Sequence, residues 1–81
     1  MQTIDDTLSL MRRQAELEFA MRHAGGIRVT EELELHTIRR QLEGFPEVVD
    51  VIVQAARALR KPITVLKGTE VEAWARHEKV A

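Results

Sequence analysis

The chain has 81 residues, no cysteine, and a formal net charge of -1 from 12 basic and 13 acidic side chains. That length allows one domain with a core near the lower limit of self-sufficiency, and the missing thiols exclude disulfides and thiolate metal sites. For a small chain without those staples, association with another copy or another protein is the remaining common way to bury more surface, and near-neutral charge gives no global field that would gather nucleic acid or a membrane.

Residues 1–81 are expected to form a single helical domain in a cytoplasmic setting. No apolar run is long enough for a bilayer. The amino-terminal stretch carries Asp5 and Asp6 where a secretory signal would carry bases.

The first helix is expected from about Ile4 to Ala24, with Thr3 and Asp6 spaced as a variant of the capping box and Gly25-Gly26 as its stop. Thr30 reads as the cap of a second helix running to about Glu43, with Glu31 and Glu32 in its first turn. Gly44 ends that helix and Pro46 opens the third, so these two should meet at a tight corner or hairpin. Pro62 is expected to end the third helix at Lys61. Ile63 to Leu66 is β-branched and brief, fit for a strand or an extended connector. With Ile27 to Val29 it would make a very short two-stranded ribbon. Thr69 and Glu72 are spaced as a capping box for a last helix to about Lys79.

The expected fold is thus all-α, a four-helix domain with the Pro46–Lys61 helix at its centre and a packed or intertwined homodimer as its default assembly. The third helix motivates that choice. At about 100° per residue its valines, isoleucine, alanines and leucine cover roughly 220° of the wheel, and a helix so apolar must be largely surrounded.

The first helix points the same way. Ile4, Leu8, Met11, Ala15 and Phe19 form one apolar stripe, and Leu10, Leu17, Met21 and Ala24 form another well over 100° away. One stripe serves the chain's own core; the second is free for a partner, unless the helix is central and both faces are covered internally. Leu10, Leu17 and Met21, together with Trp74 on the last helix, are therefore the candidate interaction surface.

Chemistry-bearing clusters are sparse. His36-Thr37-Ile38-Arg39-Arg40-Gln41-Leu42 resembles the phosphoacceptor helix of two-component histidine kinases at His36, Ile38, Arg39 and Leu42. It departs from that pattern at Thr37, where the family has an acid, and at Gln41, where it has proline. The resemblance implies phosphotransfer through His36 with Arg39 and Arg40 nearby; a solvated face of i,i+4 neighbours Glu32, His36 and Arg40 is the alternative. His23, His36 and His77 lack zinc-ligand spacing, and Gly25-Gly26 lacks the patterns of a phosphate-binding loop. A helix-turn-helix would make Glu47 to Leu59 the reading helix, which has acids at its leading end and nothing to donate to phosphates. Basic pairs at Arg12-Arg13, Arg39-Arg40 and Arg60-Lys61 keep a dimeric DNA-binding regulator as a third reading. No cofactor or metal is expected. The leading expectation is a non-enzymatic protein–protein interaction, adaptor or regulatory protein.

Overall fold

The structure, a computed structural model, describes residues 3–23 and 25–80, the last three through their backbone alone. Among the described residues the chain is all-helical, with α1 (Ile4–His23), α2 (Val29–Glu43), α3 (Pro46–Leu59) and α4 (Gly68–Val80).

The helix starts follow local hydrogen-bonding chemistry. Thr3 caps α1: its Oγ1 accepts from the Asp6 N–H at 3.1 Å, and its carbonyl accepts from the Thr7 N–H at 3.0 Å. The Thr7 hydroxyl, fully buried, donates to the same carbonyl at 2.9 Å, so no polar group is stranded there. Beyond His23, Gly25 and Gly26 take φ of 75° and 132°, values closed to most L-residues, and the chain reverses. Helix α2 begins one residue before Thr30. Its cap position is Arg28, whose N–H is accepted by the Glu31 carboxylate at 3.1 Å. The same half of a capping box recurs at α4, shifted from the expected Thr69–Glu72 pair: the Lys67 N–H donates to Glu70 at 3.2 Å, and Gly68 is the first helical residue.

Helix α3 opens on Pro46 as its sequence predicts but ends at Leu59, before Lys61. Arg60 turns left-handed at φ 54°, ψ 43°. The Arg60 N–H then reaches the Arg57 carbonyl at 3.3 Å and the Lys61 N–H reaches the Ala56 carbonyl at 3.0 Å, a Schellman ending on a non-glycine residue. Two residues, Gly44 and Phe45, join α2 to α3, and these helices touch least of the packed pairs, making a corner rather than a hairpin. The ribbon is not formed. Val29 already belongs to α2, residues 63–65 are turns, and no strand occurs among the described residues.

Helix α1, not α3, is the most extensively packed element. It lies against α2, α3 and α4, while α2 and α4 do not meet. Leu8 and Leu17, nine residues and therefore about 180° apart on the wheel, are both 1% exposed. Opposite faces of α1 are thus buried at different places along it. Toward its start, Asp5 abuts Gly68 and the Arg12 guanidinium donates to the Ile63 carbonyl at 3.3 Å and to the Leu66 carbonyl. Toward its end, Arg13 binds Glu34 and Glu18 accepts from Arg39, both on α2. One core runs through Leu8, Leu17, Leu35, Ile38, Ile52, Leu66 and Val71.

The resulting body measures 45 × 26 × 15 Å. Its long axis exceeds the roughly 30 Å of a 20-residue helix, so α2 and the α3–α4 pair are displaced along α1. Its thinnest dimension accommodates two layers of helices, each with an open outer face.

Candidate interaction surface

The displacement of the packing helices decides which apolar residues stay uncovered. The Ile4–Leu8–Met11–Ala15–Phe19 stripe is roofed at its start, with Leu8 and Met11 buried and Ile4 half-buried, and it runs into solvent at Phe19, which is 65% exposed. The Phe19 ring tilts against His23 on its own helix, with centroids 4.2 Å apart. Leu17, expected on a partner-facing stripe, belongs instead to the chain's own core, and Leu10 is half-buried against that core. Met21 is exposed; Ala24 lies outside the described residues. Trp74 is half-buried at the edge of the core.

Helix α3 shows why its large apolar arc matters. Only Ile52 and Ala55 are buried; Val48, Val49, Val51, Val53 and Ala56 are half-buried. Grooves open along both flanks. One of about 540 Å³ lies between α2 and α3 and reaches α1 at Gln14. Leu42, Pro46, Val49 and Val53 give it an apolar lining, and Arg39, Glu43 and Asp50 add charges. A smaller groove of about 240 Å³ on the other flank touches Ile4, Val48, Val51 and Ala75. A third, about 500 Å³, lies between Leu59 and the Trp74 face of α4.

Further apolar surface lies on the outer face of α2. Val29 and Leu33, one turn apart, are 72% and 62% exposed. They project away from Leu35, Ile38 and Leu42, which face the core.

The ionic contacts hold elements together and draw on the residues considered for other chemistry. Arg13 makes two parallel bonds to Glu34, at 2.8 and 3.0 Å, with Glu16 also in reach at 3.2 Å. The Arg13 hydrogen bonds hold the Glu34 carboxylate below its ordinary value and, in return, the guanidinium's proton is held more tightly. Glu70 is likewise held low, first by the Lys61 ammonium and then by the Lys67 N–H. Arg39 donates to Glu18 at 3.3 Å and thus turns to α1. His36 and Arg40 sit on the exposed face of α2, and His23 and His77 are exposed on α1 and α4. Of the six cations in the three basic pairs, Arg12, Arg13, Arg39 and Lys61 are engaged within the chain.

Two features escape a reading of the sequence. Arg12 is indistinguishable from any surface base until the α3–α4 connector presents carbonyls to it. Phe19 continues a core stripe on the wheel, and only the length of the neighbouring helices reveals that the stripe outruns its cover. No family model matches this chain, and no curated protein or solved structure is significantly similar to it.

Proposed function

We propose that this chain is a non-enzymatic protein-interaction or regulatory module that works as a helical homodimer. The observation that carries this reading is its exposed surface, 5982 Å². A compact monomer of 9.3 kDa is expected to expose about 5000 Å². The excess of about 1000 Å² is comparable to the ~800 Å² that each partner contributes to a standard interface. The radius of gyration, 13.8 Å, likewise exceeds the ~12 Å of a compact 81-residue domain.

The composition of the uncovered surface supports the same reading. It gathers Phe19, Met21, Val29, Leu33 and the flanks of α3, the kinds of side chain that form interface cores. The phosphotransfer reading has less support, because Arg39 is engaged by Glu18. A sedimentation-velocity series over a wide micromolar range tests the proposal: a reversible monomer–dimer transition or a persistent dimer agrees with it, and one monomeric species throughout refutes it.

A further inference from the structure

We infer that the dimer forms by reciprocal insertion, the Phe19 end of α1 in one copy entering the groove between α2 and α3 of the other. This rests on the homodimer reading above and names the surfaces that such a dimer would bury.

Shape is the first reason. Phe19 is the largest of the strongly exposed apolar side chains, at 65%, and it stands where α1 projects past the cover of α3 and α4. The groove, about 540 Å³ and lined by Leu42, Pro46, Val49 and Val53, offers an apolar bed for an aromatic ring and the helical turn that carries it.

Charge is the second reason, and it selects this groove over the one beside Trp74. The last turn of α1 is basic, through Arg22 and His23. Arg22 keeps 75% of its side chain exposed, with only a 3.9 Å approach to Glu18. The α2–α3 groove carries Glu43 and Asp50, of opposite sign, and its cation Arg39 is already met by Glu18. The groove beside Trp74 instead carries Glu70, already bound by Lys61, and His77.

Closure is the third. A projection and a groove on one chain make a filament if each contact uses a new copy, but close as a pair when both contacts are shared across a two-fold axis. Each protomer then buries one Phe19 end and one groove, two separate pieces of its excess surface.

The test is sedimentation equilibrium at low salt on the wild type, Phe19→Asp, Arg22→Glu, Asp50→Arg and the combined Arg22→Glu/Asp50→Arg chain. Circular dichroism verifies that each is folded; all three positions are exposed, so the helices should survive. Phe19→Asp should raise the dimer Kd by at least about 30-fold. Each charge reversal should weaken the dimer by about two- to fivefold, and the combined chain should recover, since every copy then presents both reversed partners. A wild-type dimer that Phe19→Asp leaves unchanged overturns the inference while the homodimer reading stands. Sensitivity to Phe19→Asp with no effect of Asp50→Arg removes the groove from the interface and overturns it too. A wild type that is monomeric throughout defeats the homodimer reading and this pairing with it, leaving the groove for another protein.

Discussion

The Asp5 carboxylate occupies the space that a Cβ on Gly68 would fill: a Cβ built there lies 2.9 Å from the Asp5 Cγ and closer still to an oxygen. Gly68 is buried as the first residue of α4, so its missing side chain lets the start of α1 close against the start of α4. The carboxylate also stands at the positive end of the α4 dipole.

Gly68→Val should therefore destabilise the fold by about 1–3 kcal/mol through overpacking. Gly68→Ala should cost less, because Asp5 is a short, exposed side chain that can rotate away. The decisive comparison is a double-mutant cycle by urea denaturation. Gly68→Ala should be better tolerated in an Asp5→Ala background than in the wild type, and equal costs in the two backgrounds would deny the contact.

Leu17→Ala should destabilise the chain by about 2–5 kcal/mol, the range for emptying a leucine site in a packed core. Met21→Ala, one turn further and exposed, should stay within about 1 kcal/mol in the isolated protomer. Urea denaturation under conditions where the chain is monomeric separates the two. Near-equal effects would mean that Leu17 is not the intrachain core residue described above.

At the end of α3, Arg60 holds a left-handed conformation that costs an L-residue about 1–2 kcal/mol. Arg60→Gly should stabilise by up to about 1 kcal/mol, part of the relief being offset by a freer unfolded chain. Arg60→Val should destabilise by about 1–2 kcal/mol, because a β-branched side chain is the poorest occupant of that region. Thermal melts of the three chains should rank Gly, Arg, Val in falling order.

Acid should weaken the fold through Glu34 and Glu70. Both carboxylates are held below their ordinary value of 4.5 by cationic partners, so they bind a proton less readily folded than unfolded. Their contribution is complete above pH 4.5 and is lost as pH falls through their lowered folded values. Urea midpoints measured from neutral pH downward should decline below that point, with a shallower decline in Glu34→Gln and Glu70→Gln. Both carboxylates are half-buried yet still reached by solvent, so each effect should be modest and should shrink in salt.

How much of this was legible in the sequence differs element by element. The helix order, the glycine stop after α1, the Thr3 cap and the Pro46 start follow from local chemistry, and each is present. Lys67 and Glu70 are easily missed as a capping pair, because the cap position contributes only its backbone and any residue can hold it. The fate of Leu17 and Phe19 was not legible. A helical wheel resolves direction around an axis, whereas burial here depends on position along it, and α3 and α4 cover α1 for only part of its length. The apolar arc of α3 calls for surrounding material from its own chain or another copy, and this chain alone leaves both flanks open.

The most direct test of a dimer is the native mass, measured by light scattering on the eluting peak at several loading concentrations. The mass should approach twice 9.3 kDa as concentration rises and should hold in high salt. A mass of 9.3 kDa at every concentration would contradict the homodimer reading.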